Sequence, residues 1–146
     1  MLEQIKELLE EDQISFSEEI RHRYGADETE DLHFMPDVVV FPGNTSDVQK
    51  IVRFCNEHHI PLTPRGAGTG LSGAALPVKQ GVVMSMEKMN RIIEIDESNF
   101  TAIIEPGVIN ENLRQAVEAK GLFYPPDPAS RGSCFMGENV AHNSGG

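Results

Sequence analysis

The sequence predicts an α+β fold, and three observations carry that prediction. A short β-branched run, Val38-Val39-Val40-Phe41, leads into a helix-periodic segment and then into an extended, proline-flanked segment, which together read as a βαβ unit. Further strand-like segments follow one another between Gly81 and Glu105 with no helix between them. A second amphipathic helix comes after Asn110. The expectation is a small βαβ sheet plus further strands and two main helices, preceded by a helical appendage.

Taken in order, Leu2, Ile5, Leu8 and Leu9 fall at helical spacing and predict an amphipathic helix. A shorter helix is expected from Ser17 to Tyr24, stopped at Gly25. Acids greatly outnumber bases over the first 31 residues, so residues 1–31 are expected to form an acidic, solvated helical appendage and residues 32–146 the main unit. Pro42-Gly43 closes the first strand, and Ser46-x-x-Gln49 has the spacing of a capping box. Val48, Ile51, Val52 and Cys55 then mark one face of a helix. Ile60 to Pro64 is extended because a residue before proline avoids the helical region, and the crossover should be right-handed. Strands are expected at Gly81–Met86, Arg91–Asp96 and Thr101–Glu105. Asn110 is placed to cap a helix with Leu113, Ala116 and Val117 inside and Gly121 at its end. Tyr124 to Gly146 is rich in Pro, Gly, Ser and Asn and reads as a long loop.

Composition narrows the function classes. The chain has 146 residues, 39% hydrophobic and 24% charged, which suits one globular domain with a genuine core. Its net charge of −11 opposes binding to nucleic acid or to anionic lipid. No apolar stretch approaches the roughly 18 residues that span a bilayer, and the start lacks a signal-peptide pattern. Cys55 and Cys134 are not spaced as a redox or zinc pair and suit a reducing compartment, so a cytoplasmic location is expected. Cys134 has no neighbouring base and is not read as a nucleophile. The adjacent His58 and His59 point about 100° apart on a helix and cannot readily share a metal, and His22 and His33 lack partners at ligand spacing. No metal site and no catalytic residue are assigned.

The segment Arg65-Gly66-Ala67-Gly68-Thr69-Gly70-Leu71-Ser72-Gly73 carries the chemistry. Four glycines in eight residues allow backbone amides to turn inward as an anion-binding nest, and Arg65 adds a fixed positive charge. A phosphate or diphosphate is the natural guest. Gly68-x-Gly70-x-x-Gly73 matches the dinucleotide fingerprint, but Pro77 falls where that motif needs a continuing helix. Ala74-Ala75 stands where a P-loop needs Lys-Ser/Thr. The bland alternative is a plain flexible turn.

Several segments in order resemble a known family. Pro36 to Pro42, Pro64 to Gly73, Glu105-Pro106-Gly107-Val108, Pro125 to Ser130 and Asn139 to Gly146 are similar to the FAD-linked oxidases of the vanillyl-alcohol oxidase / p-cresol methylhydroxylase (PCMH) type, and most of all to glycolate oxidase D subunits and D-lactate dehydrogenases. The resemblance runs from about Asp27 onward. It implies the N-terminal subdomain of a PCMH-type FAD-binding domain, and non-covalent FAD because the glycine loop holds no histidine. Arg65, Gly66, Ala67, Gly68, Thr69 and Gly70 would wrap the diphosphate; Pro126, Asp127 and Ser133 would lie along the cofactor; Gly137, Asn139, Gly145 and Gly146 would form a second wall. Such enzymes pass hydride from a 2-hydroxy acid to the flavin and electrons onward to a separate acceptor.

Two departures follow from the same resemblance. Glu138 stands where the family usually has glycine, and its carboxylate would repel the cofactor unless it points to solvent. The chain also ends inside the Asn139–Gly146 motif, so the remaining FAD half and the substrate cap are expected elsewhere and the 146 residues alone are expected to be inactive. Expected partners are FAD, a small 2-hydroxy acid in the complete enzyme, an electron-transfer subunit, and, through an exposed apolar wall, a second copy of the chain. His142 could face a flavin or lie on a surface loop. The rival reading is a non-catalytic α/β assembly module with weak or no nucleotide binding.

Overall fold

The computed structural model describes residues 2–145. It contains a four-stranded and a two-stranded sheet, in agreement with the α+β expectation. The larger sheet has the order β1-β2-β4-β3, with β1 Ile14–Ser15, β2 Val38–Val40, β3 Leu62–Arg65 and β4 Val82–Ser85. β2 and β3 both run parallel to β4, and β1 lies antiparallel on the outer side of β2. The βαβ connection is present through helix α2, Thr45–Glu57, but its two strands are not neighbours. The physical reason lies in side-chain character. Val82 and Val83 have no solvent exposure and take the centre, whereas β3 carries Pro64, which lacks an N–H and belongs at an edge.

The pleat divides the apolar residues between two faces. Val38, Val40, Val82 and Met84 pack against Ile51, Phe54 and Cys55 of α2 and against Ile5. Val39, Phe41 and Val83 face Ile20 and Tyr24 of α1, Glu18–Arg23, and its end. Burial pushes the Cys55 thiol up to about 11, so it packs as a neutral group. Val52 does not share this face; it is 43% exposed. Phe54 takes its place, because Ile51, Phe54 and Cys55 form the tighter helical stripe. The cap also moves. Asn44, not Ser46, is the N-cap: its side chain accepts from Asp47 N at 3.0 Å, and Asp47 Oδ2 takes Gly43 N and Asn44 Nδ2 in return.

The first 31 residues differ from a solvated helical appendage. The initial apolar residues form a 3-10 turn, Leu2–Glu7, rather than an α-helix. Ile5 is fully buried in the core beside α2, β1 joins the sheet, and Gln13 donates to Asp47 at 2.8 Å. The acidic side chains Glu3, Glu7, Glu10 and Glu11 remain exposed.

Beyond β4 the chain forms an antiparallel hairpin, β5 Ile92–Asp96 and β6 Thr101–Ile104, followed by helices α3, Asn110–Glu118, and α4, Met136–Ala141. Val108, Leu113, Val117 and Met136 form their shared core. Asn110 does not cap α3. It is the first helical residue and is fully buried, because the carbonyls of Cys134 and Arg131 take the amides of Asn110 and Glu111. Gly121, at φ +74°, turns the chain out of the helix. Helix α4 falls where a loop is expected; Met136 N and Gly137 N donate to Val108 O and Pro106 O, so its start is tied down by backbone.

Candidate functional site: the loop after β3

The glycine loop leaves the carboxyl end of β3, where Arg65 sits in register with Ser85. Carboxyl ends of parallel strands are where open α/β sheets place ligands. Gly68 has φ +75°, and a Cβ there would run into the Arg65 guanidinium. The positive φ favours glycine, and the Arg65 guanidinium occupies the space a side chain would need. Arg65 is only 8% exposed, its guanidinium lies 5.4 Å from the centroid of the Tyr24 ring, and its Nη1 has no hydrogen-bond partner among the described residues. Burial pulls the Arg65 pKa down, against the opposing pull of Tyr24, Asp27, Glu138 and Glu87.

Tyr24 and Glu87 buttress this arginine. Tyr24 Oη donates to Glu87 Oε2 at 2.5 Å, and Ser85 Oγ donates to the same oxygen at 2.9 Å. Burial, reinforced by Glu87, pushes the Tyr24 phenol up to about 12, so it stays a neutral donor. At the far end of the loop, Gly73 N donates to Thr29 Oγ1 at 2.9 Å. The N-terminal segment thus supplies Tyr24, Asp27 and Thr29 to the loop's surroundings.

The loop amide that points inward is already engaged. Ala67 N donates to Glu138 Oε2 at 2.9 Å. Glu138 is 9% exposed, so its carboxylate does not point to solvent, the one placement that would spare the cofactor its repulsion. The close pass depends on Gly66, where a Cβ would lie 2.6 Å from Glu138 Cβ. A Cβ on Gly70 would meet the His142 ring at 3.2 Å, so Glu138 of α4 and His142, the C-cap residue just past its end, both face the loop. Glu138 Oε1 has no hydrogen-bond partner among the described residues. The loop therefore grips an anion, and that anion is the chain's own.

Two depressions flank this contact. One, of about 330 Å³, is lined by Tyr24, Arg65, Ala67, Thr69, Ser133 and Phe135, among others. The other, of about 370 Å³ and more apolar, includes Pro64, Ala75, Met86, Pro106, Glu138 and His142. Of the residues singled out in the sequence, Arg65, Gly66, Ala67, Thr69, Ser133 and Gly137 line one or both. Gly68 and Gly70 line neither, but a Cβ on them would meet the Arg65 guanidinium and the His142 ring. Asp127 is turned to Arg131, at 2.6 Å, which holds its carboxyl below the usual carboxylate range. Asn139 is buried and donates to Cys134 Sγ at 3.2 Å. Pro126 is half-buried, and Gly145 O accepts from Asp127 N. Gly146 lies outside the described residues.

The model of the family described as "FAD binding domain" matches residues 36–146. The chain belongs to this family. FAD is the cofactor the family binds. As a member of the FAD-binding-domain family, it is similar to the glycolate oxidase subunit GlcD of Bacillus subtilis (strain 168), 47% identical over 84% of this chain and 26% of that protein. It is also similar to the D-2-hydroxyglutarate dehydrogenase of Stutzerimonas stutzeri (strain A1501), 40% identical over 100% of this chain and 32% of that protein. A D-lactate dehydrogenase of Anaerostipes hadrus is 45% identical over 76% of the chain and 23% of its own length. The chain thus spans about a quarter to a third of these relatives. Among solved structures, alkyldihydroxyacetonephosphate synthase superposes with TM-score 0.89 at 22% identity, covering 99% of this chain and 32% of that one. p-Cresol methylhydroxylase with substrate bound superposes with TM-score 0.72 at 28% identity, covering 86% and 26%. No described helix is long and apolar enough to cross a membrane.

Proposed function

We propose that this chain supplies one wall of the FAD site in an enzyme that oxidises a 2-hydroxy acid of the glycolate or D-lactate class. One observation carries the reading: an inward loop amide holds a carboxylate beside a buried arginine with an unused donor. That is an anion cradle built from backbone, and glycine at 66 and 68 leaves room in it for the carboxylate and for the Arg65 guanidinium. In this reading Ala67 N and the Arg65 guanidinium hold the diphosphate, Thr69 and Ser133 offer hydroxyls from the adjoining depression, and Gly137 lets the second wall approach. Pro126, Asp127, Asn139, Gly145 and Gly146 shape that wall. FAD bound there supplies the hydride acceptor; this chain's residues bind and orient it and help exclude water.

The substrate class is that of the relatives, a glycolate oxidase subunit, a D-2-hydroxyglutarate dehydrogenase and a D-lactate dehydrogenase. One of these is designated a subunit, which supports a separate electron-accepting partner. The exposed Phe100 and Phe123 support self-association of the chain. Cys55 and Cys134, free and buried, support a cytoplasmic setting. The 146 residues alone are expected to turn over neither glycolate nor D-lactate. A titration of the chain with FAD, read by quenching of flavin fluorescence, tests the binding claim: saturable quenching supports it, and its absence overturns it. Dye reduction by the chain with either hydroxy acid would overturn the expectation of inactivity.

A further inference from the structure

We propose that Glu138 is a built-in occupant of the glycine-loop cradle, which must give up the Ala67 amide before a diphosphate can be held there, so that Glu138 sets the affinity of the site for its anionic ligand. The inference rests on the FAD reading above and names a control on that site.

Three observations carry it. Glu138 Oε2 accepts the Ala67 N–H at 2.9 Å, the same donor a phosphate oxygen needs. The side chain is brought there by structure rather than by chance. Gly66 offers no Cβ to block it, and α4 is fixed beside the loop by Met136 N and Gly137 N donating to Val108 O and Pro106 O. The contact is also incomplete: Glu138 Oε1 and Arg65 Nη1 are both buried, and neither has a hydrogen-bond partner among the described residues. A carboxylate has two oxygens and leaves the arginine unmatched, whereas a diphosphate presents enough oxygens for the amide and the guanidinium together.

Charge points the same way. One cation, Arg65, shares its surroundings with Glu138, Glu87 and Asp27. Glu87 is committed to Tyr24 and Ser85, and Asp27 Oδ1 to Thr29 N. Only Glu138 lies on the loop amide itself. A diphosphate arriving beside an unmoved Glu138 would add to an excess of negative charge at short range. The carboxylate therefore swings off Ala67 when the ligand binds, and its displacement subtracts from the affinity.

Two measurements on the 146-residue chain test this. The first is FAD titration of wild type, Glu138→Gln and Glu138→Gly by quenching of flavin fluorescence. A charge-assisted hydrogen bond replaced by a neutral or absent one predicts a Kd lower by about tenfold or more in both variants. The second is titration with inorganic pyrophosphate, followed at the Ala67 amide by NMR. The resonance should move at lower pyrophosphate in the variants than in wild type. Glu138→Gln keeps the side chain's size, so it serves as the test if Glu138→Gly disturbs α4 by circular dichroism. If all three proteins bind FAD equally, or the variants bind more weakly, the inference fails and the FAD reading stands. If none binds FAD yet pyrophosphate reaches Ala67 more readily in the variants, the displacement holds and the FAD reading fails. If none binds FAD and no Ala67 resonance responds, both fail.

Discussion

The two sheets of this molecule are finished to different degrees. In the four-stranded sheet, β2 and β4 are covered on both faces: Val38, Val39, Val40, Val82 and Val83 have no solvent exposure. In the two-stranded sheet, Ile93 is 60% and Ile103 54% exposed, with Phe100 and Phe123 exposed nearby. Both regions use β-branched residues, so strand propensity does not separate them. Partners do. The first sheet has a helix on each face and a strand on each flank of its centre; the second is covered on one face only, by α3 and Met136 of α4. The glycine loop and α4 lie at the junction, joined by Glu138 and Ala67. The lesson is that the cradle is anchored to the closed region, while its second wall is carried by the open one.

That contrast can be broken by substitution, and the largest effect belongs to the closed region. Ile51→Ala should cost about 2–5 kcal/mol in a urea melt, because a fully buried side chain leaves a cavity. A loss under about 1 kcal/mol would mean that the α2 face is not tightly packed. Next, Asn44→Ala should cost about 1 kcal/mol through loss of the cap on Asp47 N, and Asn44→Ser much less. Ile103→Ala, on the open hairpin, should stay within about 0.5 kcal/mol in the same experiment. Equal losses at Ile51 and Ile103 would erase the contrast.

Acid should act on the open region through Glu105. The Arg91 guanidinium and backbone amide, at 2.6 and 2.8 Å, hold the Glu105 carboxyl below the usual carboxylate range. A carboxyl lowered in the folded state stabilises at pH above its unfolded value, and that contribution disappears as pH falls through the folded value. Glu105→Gln should therefore lower the urea midpoint at pH 7 and narrow the gap between pH 7 and pH 3. An unchanged gap would show that Glu105 does not contribute to the acid response.

Much of the closed region was legible in advance. The run Val38 to Phe41, the stripe Ile51 and Cys55, and the strand near Val82 announce themselves by periodicity and by the Gly and Pro that bound them, as do the hairpin strands near Ile92 and Thr101 in the open region. The order of the strands was not legible. It depends on the contrast in burial between Val82-Val83 and a strand bearing Pro64, which appears only when all the strands compete for one centre. Helix α4 was missed because its first amides are satisfied by Val108 O and Pro106 O rather than by a capping side chain. Asn110 misled for the same reason, since backbone carbonyls already take the amides at that helix start. The glycine loop and Arg65 were readable from composition and charge. The inward turn of Glu138 was not, because it needs Ala67 and Glu138 to meet across 71 residues of chain. Tyr24 and Asp27 gave no signal at all, since their role comes from the N-terminal segment folding back over Arg65.

The account depends most on the loop after β3 being an anion cradle for FAD. The direct test is flavin-fluorescence titration of the 146-residue chain against Gly68→Val, whose side chain would force the Arg65 guanidinium aside at a position with φ +75°. The account predicts saturable quenching by the wild-type chain and a Kd raised by at least about tenfold in Gly68→Val, with the fold intact by circular dichroism. Equal affinity in the two proteins would contradict it.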